Sequence, residues 1–159
     1  MASRATTFWT FIVILVLLHL VLRLALGMTL VPDLIVVAAL LGARRLGGWQ
    51  AALLGLGLGV LADSLALVGF GATAVALVVV CYLGSRSRNL FEGDSFIFIA
   101  VYAFVGAWLV EVIRFMTGGP TLQGAGAGYL VSGALLSALA VAAATVVSLI
   151  AYRAISGER

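Results

Sequence analysis

Four charged side chains interrupt sequence that is otherwise apolar: Arg23, Asp63, Glu111 and Arg114. A charge in membrane hydrocarbon costs about 3 kcal/mol or more, so each needs a partner, a wet cavity or a function. Glu111 and Arg114 are three positions apart, which predicts a pair on one helix face. That pair leaves Arg23 for Asp63 or Asp33, and we expect it to contact Asp63.

The composition predicts that these charges lie in a membrane protein. The chain has 159 residues, of which 64% are hydrophobic and 9% charged, whereas soluble domains carry about 25% charged residues. All nine basic residues are arginines, and they cluster near predicted helix ends, which favours a role in membrane topology over nucleic-acid binding. The single cysteine, Cys81, excludes an internal disulfide and a thiolate metal site.

Apolar segments predict an all-α protein with six transmembrane helices in one domain. A span needs about 20 apolar residues, and the run after Arg4 is too long for a signal peptide, which predicts an uncleaved first span. Arginines fall before the first span, in alternate connections and after the last span, so the positive-inside rule places both termini in the cytoplasm. The predicted spans are residues 8–28, 31–43, 49–67, 70–84, 95–117 and 129–152.

The membrane charges are expected to share one depth. Arg23, Asp63 and Glu111 lie about 21 to 24 Å along their outward-running helices, by the helical rise. Asp33 opens the second span on the same side, and His19 lies one turn before Arg23. This outer polar layer is either a structural ion network or a pocket or partner site. Asp33 also fits a helix cap, and a lone histidine such as His19 also fits a buried hydrogen-bonding group.

Small residues predict close helix packing, and the basic turns predict contacts on the cytoplasmic side. Gly55 and Gly59 share a helix face with Asp63, and glycine lets a neighbouring helix approach. The basic side chains mark membrane topology or contact a cytoplasmic partner or anionic lipid. The remaining candidates are a packing face of Ala134, Ala138 and Ala142, and a basic set of Arg44, Arg45, Arg86 and Arg88.

No catalytic arrangement is evident, so we expect a protein that is not an enzyme and holds neither cofactor nor metal. The chain has one histidine, no HExxH and no GxSxG. A Ser–His–Asp triad would need His19 inside the first span. The glycine-rich segment 118–128 lacks the Lys and Ser/Thr of a phosphate-binding loop.

The order of motifs in residues 31–91 resembles the rod shape-determining protein MreD family. The motifs are Val31-Pro32-Asp33-Leu34, a basic turn at 43–47, the glycine-rich helix that ends in Leu61-Ala62-Asp63, a small turn at 68–74, and Tyr82-Leu83-Gly84 before a basic loop. Family members often have Leu where this chain has Ala62.

The resemblance implies a six-helix fold similar to the S components of energy-coupling-factor transporters. It also implies a role in the bacterial elongation complex of the inner membrane, which controls cell shape and lateral peptidoglycan synthesis. The expected partners are MreC, through its transmembrane helix, and more loosely MreB, RodA and its transpeptidase, together with membrane lipids. The abundant small residues permit a homodimer.

Two other functions remain open. The polar layer fits a solute-binding subunit of a vitamin transporter, although the first span lacks the small-residue face with which S components dock. It also fits a pocket inherited from such a transporter and now occupied by a lipid or by a partner's residue.

Overall fold

The computed structural model describes residues 2–26, 33–65, 71–87, 96–117 and 127–156. These residues form six α-helices and no strand, and each helix overlaps one predicted span. The helices are α1 (Ala2–Leu26), α2 (Leu34–Ala43), α3 (Gly48–Ser64), α4 (Ala72–Ser87), α5 (Phe96–Thr117) and α6 (Ala127–Ser156).

Consecutive helices run in opposite directions. The starts of α1 and α5 and the ends of α2 and α6 therefore lie at one end of the bundle, where arginine–aromatic contacts join them. The guanidinium carbon of Arg45, just after α2, lies 4.1 Å from the ring centroid of Phe8 on α1 and 5.8 Å from that of Tyr152 on α6. Arg153 on α6 lies 4.4 Å from the ring of Phe96, the first residue of α5. We call this the arginine end.

The opposite end of the bundle carries the carboxylates of the described residues. Asp33 precedes α2, Asp63 lies in the last turn of α3, and Glu111 lies near the end of α5. Asp33 lies 3.9 Å from both His19 of α1 and Arg114 of α5. We call this the acidic end. The three carboxylates thus share one end of the bundle, together with Arg114.

Helix α2 is the centre of the fold. All ten of its residues are buried, because α2 contacts each of the other five helices. A helix that is apolar on every face belongs in such a core. Its length of 10 residues corresponds to about 15 Å, and the surrounding helices shield its apolar side chains.

Three of the helices are long and apolar enough to cross a membrane. They contain the segments Thr6–Ala25, Phe96–Thr117 and Ser132–Ala154. Large apolar side chains on these helices face outward, among them Leu24, Ile97 and Leu136. Such a surface suits hydrocarbon rather than water, which indicates a membrane protein.

Candidate functional site

Asp63 joins α3 to the beginning of α4. Its carboxylate is 1% exposed and accepts backbone hydrogen bonds from Gly71 (2.9 Å), Thr73 (3.2 Å) and Ala74 (2.9 Å). The first N–H groups of a helix have no partner within that helix, and the helix dipole favours a negative charge there. Asp63 therefore caps α4 from a neighbouring helix, and these three donors, rather than Arg23, hold its carboxylate.

Glycine contacts allow this cap to form. A Cβ atom at Gly59 would collide with the backbone of Ala74, and one at Gly55 would lie 2.5 Å from the carbonyl oxygen of Leu77. The two helices thus touch backbone to backbone, as the spacing predicted, and they form the closest-packed pair in the bundle. Gly71 has φ +96°, a conformation that L side chains rarely adopt. We call Gly55, Gly59, Asp63 and Gly71 the α3–α4 joint.

A second group of polar side chains lies where α1, α2, α5 and α6 meet. Nη1 of Arg114 donates to Oε1 of Glu111 at 3.3 Å, which confirms the pair predicted from their spacing. The hydroxyl of Ser137 on α6 donates to the same oxygen at 3.5 Å. We call His19, Asp33, Glu111, Arg114 and Ser137 the polar cluster.

His19 caps the start of α2, a role that the sequence also offered to Asp33. The Asp33 side chain makes no capping hydrogen bond, whereas Nδ1 of His19 accepts from the N–H of Leu34 at 3.3 Å. An accepting Nδ1 carries no proton, so in the neutral ring the proton is on Nε2. Nε2 faces Oδ1 of Asp33 at 3.9 Å, which lies beyond hydrogen-bond distance.

Within the polar cluster, Asp33 is held only by long contacts. Oδ2 of Asp33 lies 3.9 Å from Nη1 of Arg114, and the buried Oδ1 makes no hydrogen bond within the described part of the chain. The side chains of Asp33 and Arg114 are 27% and 32% exposed. Because the cluster is accessible and loosely paired, a polar group of a partner or ligand can enter it without displacing a strong bond.

Ser137 was not singled out in the sequence, where it is one of several small residues on the last helix. Its neighbour Ala138 and the nearby Ala134 are fully buried, and Ala142 is 8% exposed, in keeping with a packing face. That face brings the Ser137 hydroxyl towards α5. The sequence signal for this contact was a polar residue within a pattern of small residues.

The remaining candidates are distributed between the two ends. Arg23 is half-buried on α1, one turn beyond His19. Arg44 is half-buried at the arginine end, with its guanidinium carbon 5.8 Å from the Tyr102 ring. Arg86 is exposed and donates to the Tyr82 hydroxyl at 3.0 Å. The prediction for Arg88 lies outside the described residues.

The described residues contain no group of three His, Cys, Asp or Glu side chains that could hold a metal ion. Comparisons of the chain with protein-family models, with curated proteins and with solved structures found no match.

Proposed function

We propose that this chain is a six-span protein of the bacterial inner membrane with both termini in the cytoplasm. The proposal is supported by the uneven distribution of arginines: Arg44, Arg45, Arg86 and Arg153 lie at one end, whereas the other end pairs Arg114 with carboxylates. Under the positive-inside rule this is the cytoplasmic end. Short helices such as α2 fit this arrangement because protein, rather than lipid, surrounds them.

We further propose that the protein is a non-enzymatic scaffold or regulator of the elongation complex, acting with MreC in cell shape and lateral peptidoglycan synthesis. The observation that carries this proposal is the α3–α4 joint. The resemblance to the MreD family includes two motifs that follow one another in the sequence: a glycine-rich helix that ends in Leu-Xaa-Asp, and then a small turn. In this chain the described residues of these motifs, the α3–α4 joint, hold two helices together, so the buried carboxylate has a structural use.

The polar cluster is the part of the molecule that suits a partner. In lipid, helices associate through close packing and a few polar contacts, because water supplies no hydrophobic driving force between them. Asp33 and Arg114 are partly exposed and separated by 3.9 Å. A polar side chain of the MreC transmembrane helix would therefore gain charge-assisted hydrogen bonds there.

Depletion of the protein in its native organism tests the shape role. We expect rod-shaped cells to become round and to recover on expression of the wild-type chain. An Asp33→Asn, Arg114→Gln double variant should insert normally but co-purify with less MreC in mild detergent. Its matched control is Val60→Thr, on the exposed surface of α3. Rods that persist without the protein, or absence of MreC from the wild-type preparation, would contradict the proposal.

A solute-binding subunit of a vitamin transporter is the second candidate function. The observation in its favour is that polar side chains from α1, α5 and the start of α2 converge at one end while Asp33 and Arg114 stay partly exposed. Against it, the outer face of α1 carries bulky side chains such as Ile14, Leu17 and Val21. Thermal stabilisation by one vitamin, combined with vitamin dependence of depleted cells, would favour transport over the shape role.

A further inference from the structure

An apolar groove runs between α4 and α5 on the side of the bundle away from the polar cluster. Its volume is about 270 Å³, and its walls include Leu83 and Gly84 of α4 and Val101, Val105 and Leu109 of α5. Leu83, Val101 and Val105 are 50%, 54% and 45% exposed. The groove is thus open along its outer side, where membrane hydrocarbon would surround it.

Tyr102 forms the floor of the groove. Its hydroxyl donates to the carbonyl oxygen of Leu40 in the buried helix α2 at 3.3 Å. The ring lies so close to Gly84 that a Cβ atom there would collide with it, and Gly106 makes room for the Leu40 side chain. Tyr102 therefore fixes the floor of the groove, and the space above it is part of the fold.

The dimensions of the groove favour an acyl chain over a helix. A helix with its side chains is about 10–12 Å in diameter, whereas α4 and α5 remain in contact along the groove. An acyl chain is a single row of methylene groups and can follow a narrow apolar channel. It would restore the dispersion contacts that the walls lack on their open side.

The charges beside the groove favour an anionic lipid. Tyr102 forms the groove floor, and the guanidinium carbon of Arg44 lies 5.8 Å from the centroid of its ring. Arg86 is directed away from the groove, since it donates to the hydroxyl of Tyr82, whose ring packs beside Gly48 of α3. The carboxylates of the described residues lie at the acidic end instead. Guanidinium groups bind phosphate through charge-assisted hydrogen bonds.

We propose that this groove binds one acyl chain of an anionic phospholipid, whose phosphate contacts Arg44. The site is distinct from the polar cluster, since α4 forms one of its walls and none of its lining residues belongs to that cluster. It requires that the chain is a membrane protein, but it does not depend on the role in the elongation complex.

Native mass spectrometry of the full-length chain in mild detergent tests the proposal, with phosphatidylglycerol and phosphatidylcholine of identical acyl chains as probes. We expect one phosphatidylglycerol to bind about tenfold more tightly than phosphatidylcholine, because both lipids present a phosphate but the choline ammonium of phosphatidylcholine repels the guanidinium group of Arg44. Val105→Trp fills the groove and should weaken binding of both lipids. Its control is Val60→Trp on α3, because Val60 and Val105 have similar exposures of 43% and 45%.

Arg44→Gln should remove most of the preference for phosphatidylglycerol, whereas Arg45→Gln and Arg86→Gln should keep it, because Arg45 lies over Phe8 and Arg86 is bonded to Tyr82. Circular dichroism establishes that each variant is folded. Equal binding of the two lipids, or equal losses in Val105→Trp and Val60→Trp, would overturn the proposal. So would a Val105→Trp variant that keeps its lipid but loses a dimer, because the groove would then be an interface between two copies.

Discussion

The α3–α4 joint and the polar cluster use the same kind of residue at the same end of the bundle for opposite purposes. Asp63 is 1% exposed and accepts three backbone hydrogen bonds. Asp33 is 27% exposed on its side chain and reaches His19 and Arg114 only at 3.9 Å. A satisfied, buried carboxylate contributes to the fold, whereas a loosely paired one remains available. Depth in the membrane alone therefore does not identify a binding site.

The largest expected effect comes from removing the carboxylate of the joint. Asp63→Ala would leave the N–H groups of Gly71, Thr73 and Ala74 buried without an acceptor. We expect the free energy of unfolding to fall by about 3 kcal/mol or more. Reversible unfolding in mixed detergent and dodecyl sulfate micelles, followed by circular dichroism, measures this change. Asp63→Asn should lose less, because its amide keeps one acceptor oxygen; equal losses in both variants would contradict the capping role.

The glycine face of the joint gives the next largest effect. Gly59→Ala would force α3 and α4 apart, because the new Cβ meets the backbone of Ala74. We expect a loss of about 2 kcal/mol, in the range for overpacking. Gly57→Ala is the matched control on the same helix, since nothing lies within 4 Å of its added Cβ. Gly57→Ala should be neutral or slightly stabilising, and an equal loss in the two variants would exclude helix contact as the cause.

A smaller effect is expected where Arg45 ties three helix ends together. Its guanidinium carbon lies 4.1 Å from the Phe8 ring and 5.8 Å from the Tyr152 ring. Arg45→Gln should lower the free energy of unfolding by about 0.5 to 1 kcal/mol, the range for a cation–π contact near a surface. Arg45→Lys should recover part of the loss. A loss as large as that of Asp63→Ala would mean that this contact, and not the joint, dominates the stability of the bundle.

Much of this architecture could be predicted from the sequence, because hydrophobic runs and helix-breaking connections locate helices independently of their packing. The pair of Glu111 and Arg114 followed from spacing along one helix, and their contact confirms it. The partner of Asp63 could not be predicted in the same way. A backbone N–H has no sequence signature, and a buried carboxylate by itself suggests a cation such as Arg23 as its partner. In the structure, three backbone donors at the start of α4 hold the carboxylate.

The polar cluster shows the same limit for contacts that join different helices. His19, Asp33 and Ser137 come together only because α1 and α6 pack beside α2 and α5. Their spacing in the sequence carries no information about this packing. Ser137 in particular resembles its small neighbours until the structure places its hydroxyl 3.5 Å from Glu111. Polar side chains that contact each other across different helices are thus harder to identify from the sequence than those that pair along one helix.

The smallest expected change in stability is also the sharpest test of the comparison between the two regions. Asp33→Asn removes a charge that is partly exposed and only distantly paired, so the free energy of unfolding should change by about 0.5 kcal/mol or less. The measurement is the same micelle unfolding experiment, with Asp63→Asn as its counterpart in the joint. If Asp33→Asn destabilises the protein as much as Asp63→Asn, the polar cluster is a structural network like the joint. If it leaves stability unchanged while association with MreC falls, the loose pairing of Asp33 serves binding, because only an interaction absent from the isolated chain can account for the loss.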